Sequence, residues 1–227
     1  LLDAFAKNGE TLAQAQYLIA KAFGFDASKI DSMNYDQMTE ATKNTNKESA
    51  FNLVAINAKI VNLLVTGSET LRNSSTNAIS NIDASNLMVS SLVNSISKAK
   101  ETKIDLNNTA FLKDVFVGAT TVNKDIKFDT TKINLVDDVF ATLIADTSAN
   151  IDSALSNTTQ NTVTLLSNVS RVSNFTQNTA TNSIVIAISN PKTFNEKTLL
   201  DALTGSKADD AIKNTVIPDG NLTPPPI

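Results

Sequence analysis

The residues with the most obvious chemical potential lie in the stretch KAFGFDASKIDSMNYDQ, which contains one glycine, Gly24, and three aspartates at five-residue spacing. The aspartates are Asp26, Asp31 and Asp36. A calcium loop of the EF-hand type needs oxygen ligands at alternate positions, a central glycine and a glutamate at the twelfth position. Here Gly24 precedes all three aspartates, and Glu40 is out of register. The pattern therefore favours a helix that ends at a left-handed Gly24, followed by turns, over a metal site.

Other acidic residues also lack the partners that catalysis requires. Asp137 and Asp138 are adjacent, as are Asp209 and Asp210, but adjacent residues of a helix face different directions. Asp219, in the turn sequence PDGN, would bind calcium only with ligands from beyond the last residue. We therefore predict no catalytic, cofactor-binding or metal-binding residue in this segment, and we do not expect an enzyme.

The composition narrows the function classes further. The 227 residues include no histidine and no cysteine, which removes the commonest general base and metal ligand together with thiol chemistry and disulfides. The net charge is −4, and the lysines and arginines do not cluster, so nucleic acid is not an expected partner. No uninterrupted apolar run approaches the roughly 20 residues of a membrane helix, which predicts no membrane insertion. Asn, Ser and Thr make up about a third of the residues, as is common in surface and secreted proteins.

The ends of the sequence suggest a piece of a longer protein. It starts inside a helical pattern without an initiator methionine, and it ends in the linker-like PDGNLTPPPI. We predict an N-terminal helical region over residues 1–100, a C-terminal helical region over 101–213 packed on it, and a proline-rich linker over 214–227. The two regions are equally compatible with one large domain.

Apolar spacing and capping motifs predict an all-α, multi-helix bundle with long amphipathic helices and short capped turns. Apolar residues recur at spacings of three and four, most regularly from Leu53 to Leu64 and again from Ile79 to Ile96. Further helices are predicted at 1–7, 12–23, 110–119, 134–145, 196–203 and 208–213. Ser/Thr-x-x-Glu/Gln capping boxes begin at Thr11, Thr45, Thr66 and Thr193.

Residues 153–191 form an unusual stretch in which Arg171 is the one charged side chain. Its apolar residues keep helical spacing, and this favours a helix over the alternative of a short strand for the run at 184–188. Moving Asn, Ser, Thr or Gln out of water costs less free energy than moving an ion. This helix could therefore lie within its own bundle or against another copy or domain. An ordinary wetted surface is the competing interpretation. Substitution of Asn161 or Ser170 with glutamate should weaken folding or self-association if this helix is buried. The same substitutions should change neither property if the helix is an ordinary wetted surface.

The first 70 residues carry a family resemblance. The segment LLDAFAKNGETLAQAQYLIAKAFGFDASKIDSMNYDQM, followed by SAFNLVAINAKIVNLL, resembles a helical module of very large bacterial secreted and cell-surface proteins, of adhesin or surface-layer type. Such modules often lie beside calcium-binding repeats or sandwich domains. The sequence departs from the pattern at Gln37, where proline is frequent, and it has no acidic loop upstream. Calcium is therefore expected in neighbouring domains of the parent protein rather than in this segment.

The resemblance implies a non-catalytic structural or adhesive domain, extracellular or at the cell surface, that acts as a spacer or assembly module. Its expected partners are other domains or copies of the parent protein. The alternative is a periplasmic or extracellular ligand-sensing helical bundle, since long helices rich in Ser, Thr and Asn suit both functions. A ligand pocket would need convergent charged or aromatic groups, and the sequence pattern indicates few of them.

Overall fold

The computed structural model describes residues 1–24, 47–99, 102–156 and 160–216, and most of these residues are helical. The helices are α1 (Leu2–Lys7), α2 (Leu12–Phe23), α3 (Lys47–Ser74), α4 (Asn81–Ala99), α5 (Thr109–Val122), α6 (Thr130–Ser156), α7 (Thr162–Asn174), α8 (Thr181–Ser189), α9 (Glu196–Leu203) and α10 (Gly205–Lys213). A π-helical turn, Phe175–Ala180, joins α7 to α8 without a break. Within these ranges the only β-pairing is an isolated bridge between Ser75 and Phe128. The predicted all-α, multi-helix bundle is confirmed.

Four consecutive helices form a closed bundle. Helices α3, α4, α5 and α6 each pack on the next, and α6 returns to pack on α3. Their short connections make successive helices antiparallel. The first core, inside this bundle, is aliphatic except for a few phenylalanines, of which Phe116 and Phe140 stack with ring centroids 4.5 Å apart. Helices α1 and α2 pack on α4 and add Phe5 and Phe23 to the same core.

A second core lies on the opposite side of α3 and α6. Helix α7, the π-helical turn and α8 pack against both of them, while α9 packs on α6 and α10 packs on α7 and α9. The buried residues of this second core include Val54, Val139, Leu143, Ile151, Leu166, Val172, Phe175, Ile184, Ile188 and Leu203. Helices α3 and α6 thus bury one face in each core, and no other helix pair does so among the described residues.

The helix ends agree only in part with the predicted capping motifs. The capping box of Thr11 and Gln14 is present, and Gly24 ends α2 with a left-handed φ of 72°. The boxes predicted at Thr66 and Thr193 are wrong, because Thr66 lies inside α3 and the cap of α9 is Asn195. Thr45 lies outside the described residues. Several other helices begin at an asparagine, aspartate or serine. The side-chain oxygen of this residue accepts a hydrogen bond from a backbone N–H group in the first turn of the helix. These residues are Ser80, Asn108, Asp129, Asn161 and Asn195.

The long elements extend further than the sequence pattern predicts. Helix α3 continues to Ser74, and α6 spans 27 residues where 12 were expected. The single helix expected over 153–191 is wrong, because α6 ends at Ser156 and α7 begins at Thr162. Residues 184–188 are helical, as favoured. The predicted boundaries at residues 100 and 213 stay predictions.

Helix α3 also meets the length and composition criteria for a membrane span. In the described ranges, Glu48–Ser74 is the one helix that does so, and 56% of its most apolar 18-residue window is buried inside the fold. A core helix of a water-soluble protein meets the same criteria, and α3 lies between two cores. The expectation of no membrane insertion stays a prediction.

Candidate functional site

A cavity of about 500 Å³ lies where the end of α2, the N-terminal half of α3, the connection after α4 and the last turns of α6 meet. Its volume is within the range of small-molecule sites, roughly 300 to 1,000 Å³. Its polar lining consists of Asn52, Lys59, Lys103, Asp105, Asn107 and Asp152. Its apolar lining consists of Phe23, Ala55, Ile56, Ile104 and Leu106.

Buried apolar residues alternate with exposed polar residues along the connection between α4 and α5. The N–H of Ile104 donates to the carbonyl of Ala22 at 2.7 Å, which fastens this connection to the last turn of α2. Ile104 and Leu106 are buried in the first core. The intervening polar residues, Lys103, Asp105 and Asn107, are exposed at the cavity. The backbone N–H of Asn107 donates to Asp105 Oδ1 at 2.8 Å, which closes an Asx turn.

Three polar side chains form a cluster in the cavity wall. Lys59 Nζ lies 2.6 Å from Asp152 Oδ1 and 2.7 Å from Oδ2, and it donates to Asn107 Oδ1 at 3.4 Å. Asn107 Nδ2 donates to Asp152 Oδ2 at 3.0 Å. The lysine side chain is only 9% exposed, whereas that of Asp152 is 45% exposed. The cluster therefore ties α3 to α6 and to the α4–α5 connection, and it holds one carboxylate in a fixed orientation at the cavity surface.

Lys103 contributes a second ammonium to the same cavity. An ideal Cβ built on Gly24 would lie 3.3 Å from Lys103 Cε and 3.5 Å from Nζ, so this side chain lies across the glycine. The positive φ of Gly24 disfavours other residues there as well. In the described part of the chain, Lys103 makes no ion pair. Its side chain lines the cavity together with Asp105 and Asp152.

The adjacent aspartates Asp137 and Asp138 are joined by a lysine that the sequence pattern did not indicate. Lys113 Nζ, on α5, lies 3.1 Å from Asp137 Oδ2 and 2.8 Å from Asp138 Oδ1. Its pKa is raised, chiefly by the hydrogen bond to Asp138; burial opposes the shift, and Asp137 adds to it. A lysine that holds its proton this firmly is a poor general base. The three side chains therefore cross-link α5 and α6.

The second aspartate pair is split between two partners. Asp210 lies 3.7 Å from Lys213 on the same helix, whereas Asp209 faces Asp146 of α6 closely enough to affect its ionisation. Burial raises the pKa of Asp146 and Asp209 raises it further, while a hydrogen bond from the backbone of Gly205 opposes the shift. Neither apolar spacing nor a motif marks Asp146 in the sequence. Among the described residues, its buried Oδ2 atom has no hydrogen-bond partner, and neither does the buried Nδ2 atom of Asn150 one turn later.

The asparagine- and threonine-rich stretch packs on α3 through a row of buried and partly buried polar contacts, which we call the polar seam. Gln177 Nε2 donates to Asn62 Oδ1 at 2.8 Å, and the hydroxyls of Thr66 and Thr181 hydrogen-bond at 2.8 Å. The hydroxyl of Thr181 also lies 2.8 Å from the carbonyl of Thr176 in the π-helical turn. Part of the polar surface that the sequence predicts to tolerate burial is therefore packed against α3 within the fold.

The glutamate test at Asn161 needs correction. Asn161 Oδ1 accepts from the N–H of Thr164 at 2.9 Å and caps α7. A substitution there removes a cap as well as changing the surface charge, so its effect would not report on an interface. Ser170 is half-buried and donates to the carbonyl of Leu166 at 3.0 Å.

The remaining predicted residues lie outside the described part of the chain. These are Asp26, Asp31, Asp36 and Asp219. Across residues 1–24, 47–99, 102–156 and 160–216, no three acidic side chains converge closely enough to hold a metal ion. The expectation of no cofactor in this segment stays a prediction.

Comparisons with known proteins found no match for the chain. No family model matches it, and neither a curated protein nor a solved structure matches it. The resemblance to bacterial surface modules therefore stays an expectation drawn from the sequence.

One signal in the sequence could have located the cavity. Lys59 lies three residues after Ile56 and four before Leu63, so it belongs to the apolar face of the predicted helix. A buried charged residue on such a face needs a partner of opposite charge. The partner, Asp152, is 93 residues away, and apolar spacing carries no information about pairing at that distance.

Proposed function

We propose that this chain is a non-catalytic structural or adhesive helical domain of a large secreted bacterial surface protein, in which it acts as a spacer or assembly module. One observation carries the structural part of the proposal. Helices α3 and α6 belong to both cores, so the helices on either side are joined through a common pair rather than through a flexible linker. An element that must hold two neighbours at a fixed distance needs this kind of continuity.

The interhelical ion pairs support the same proposal. Lys59 joins α3 to Asp152 of α6, and Lys113 joins α5 to Asp137 of the same helix. Arg171 of α7 donates to the carbonyl of Lys213 at the end of α10, at 2.6 Å. These long side chains cross from helix to helix, so their charged groups serve as ties. The extracellular location, the partnership with other domains of the parent protein and the presence of calcium in those domains rest on the resemblance of residues 1–70.

Domain replacement in the parent protein tests the spacer role. We expect that exchanging this segment for an unrelated helical domain of similar length preserves display and attachment, because a spacer contributes distance and rigidity rather than chemistry. Deletion without replacement should impair both. Loss of attachment in the exchanged protein, with display intact, would contradict the spacer role and indicate specific recognition by this domain.

Antibody labelling tests the location. An antibody raised against residues 160–216 should label intact cells of the source organism. Labelling that appears only after permeabilisation would contradict a surface location.

A ligand-sensing helical bundle is a second candidate, favoured by the cavity beside Lys59. Its polar lining brings two lysines and two aspartates together over an apolar floor, which is the arrangement expected of a small-molecule site. A thermal-shift screen against amino acids, organic acids and sugars tests this candidate, because a ligand that binds the folded state raises the melting temperature in a saturable way. If no compound raises the melting temperature, the sensing candidate fails and the spacer role is the one that remains.

A further inference from the structure

We propose that the cavity lined by Lys59, Lys103 and Asp152 binds a zwitterionic α-amino acid with an apolar side chain. The inference rests on the ligand-sensing candidate and names its ligand class. It does not depend on the spacer role.

The charges of the cavity favour a ligand without net charge. The lining contains two lysines, Lys59 and Lys103, and two aspartates, Asp105 and Asp152. Opposite charges near a bound group stabilise it and like charges oppose it, so a purely anionic or purely cationic ligand would meet an unfavourable partner in the same cavity. A zwitterion can direct each of its charges to the opposite wall.

Asp152 supplies the site for the ligand ammonium. A carboxylate has about four acceptor positions, and Lys59 and Asn107 occupy about three of those on Asp152. The remaining acceptor capacity is on the exposed part of the side chain, which is 45% accessible. Because Lys59 and Asn107 already fix the orientation of this carboxylate, a ligand would not have to order it.

Lys103 supplies the site for the ligand carboxylate. The ammonium of Lys59 is buried and engaged with Asp152 and Asn107, whereas Lys103 has no ion pair among the described residues. The side chain of Lys103 lies across Gly24, at the rim of the cavity. Asn52, an exposed residue of α3 that lines the same cavity, carries an amide that can donate a second hydrogen bond.

The floor of the cavity determines the expected side chain of the ligand. The apolar lining residues Phe23, Ala55, Ile56, Ile104 and Leu106 come from α2, α3 and the α4–α5 connection. Burial of an aliphatic side chain against such a floor removes apolar surface from water and so favours binding. Leucine, valine, methionine and phenylalanine are therefore the probes of choice.

Calorimetric titration of the full chain tests the inference, with leucine as the first probe. We expect saturable binding of leucine and a melting temperature that rises with its concentration. N-acetylleucine lacks the ammonium and leucine amide lacks the carboxylate, so each should bind at least about tenfold more weakly, the loss typical of one charge-assisted hydrogen bond. Lys103→Gln should weaken leucine binding by about tenfold, whereas Lys192→Gln, at an exposed lysine outside the cavity, should not change it.

The outcomes separate the inference from the functions proposed above. Equal binding of N-acetylleucine or leucine amide would overturn the zwitterion assignment, and so would an unchanged affinity in Lys103→Gln. If an organic acid or a sugar binds saturably and no aliphatic amino acid does, the amino-acid inference fails and ligand sensing stands. If no compound binds, both fail, and the spacer role is unaffected.

Discussion

At the scale of single residues, Lys59 illustrates how a buried charge is retained in an aliphatic core. Its ammonium is surrounded by Asp152 and Asn107, and the rest of its side chain lies in the wall of the cavity. A buried charge that keeps its partner costs little, but one that loses its partner costs several kcal/mol. Here Asp152 is nearly half exposed, so water can partly replace Lys59.

The first prediction concerns this pair. Lys59→Met keeps most of the side-chain volume and removes the charge, and we expect it to lower the free energy of unfolding by about 1–2 kcal/mol in urea melts. The exposed ion pair between Lys197 and Asp201 is the matched control. Lys197→Met should change stability by less than about 0.5 kcal/mol. An equal effect of both substitutions would contradict the tie between α3 and α6.

The second prediction concerns Asp146, whose pKa is raised by burial and by Asp209. A carboxyl group with a raised pKa in the folded state binds its proton more tightly there than in the unfolded chain. Its ionisation therefore destabilises the fold as pH rises from the ordinary value of 3.8 through the raised value. Asp146→Asn cannot ionise, and its amide oxygen can still accept from Gly205.

Urea unfolding at several pH values measures this effect. Relative to the natural chain, Asp146→Asn should gain stability as pH rises from about 3 to 7. Asp209→Asn should also gain stability relative to the natural chain as pH rises. Its gain should be smaller than that of Asp146→Asn, because Asp209 is a smaller cause of the raised pKa than burial is. A difference between Asp146→Asn and the natural chain that is constant with pH would contradict a raised pKa.

Few of these residues could be selected from the sequence. Lys59 carried a signal, because it interrupts an apolar face. Asp146 and Lys113 did not, since their importance depends on which helices pack together. The adjacent aspartates at 137 and 138 were noticed for their spacing, but their partner lies on another helix. Chemical clusters built from distant residues depend on tertiary contacts that periodicity does not encode.

At the scale of elements, the polar seam shows how the α7–α8 unit is placed in register on α3. Asn62 and Thr66 are one turn apart on α3, and their partners Gln177 and Thr181 are also four residues apart. The contacts therefore advance in the same direction along both helices. Buried hydrogen bonds of this kind favour one register because any slip leaves polar groups unpaired.

The third prediction is a double-mutant cycle across the polar seam. Thr181→Val should lower the free energy of unfolding by about 1–3 kcal/mol, because it removes two buried hydrogen bonds and leaves the Thr66 hydroxyl unpaired. Thr66→Val should cost a similar amount. The double variant should cost at least about 0.5 kcal/mol less than the sum, since neither hydroxyl then lacks its partner. Strict additivity in urea melts would contradict a direct contact.

Helices were predicted from the sequence more reliably than their ends. The apolar spacing of α3, α4 and α6 is strong enough to identify each helix, yet α3 and α6 extend well past the regular part of the pattern. The box at Thr66 was wrong because Thr and Glu three residues apart also occur inside a helix. In that position Thr66 bonds across to α8, and a local motif cannot distinguish these environments.

At the scale of the whole molecule, the sharing of α3 and α6 explains why the sequence left the number of domains open. A helix that buries two faces has no clear polar side, and residues 136–148 of α6 are almost all buried or half-buried. Amphipathic spacing then indicates a helix but not its partners. We expect both cores to unfold as one cooperative unit, because neither is complete without this pair.

Hydrogen exchange followed by mass spectrometry at rising urea concentration tests that claim most directly. Helices α4 and α5 serve the first core alone, and α8 and α9 serve the second alone. We predict that the most protected amides of both groups open with the same free energy and the same urea dependence, as expected for one cooperative unit. Loss of protection in α8 and α9 at a lower urea concentration, while α4 and α5 stay protected, would contradict the shared-helix account.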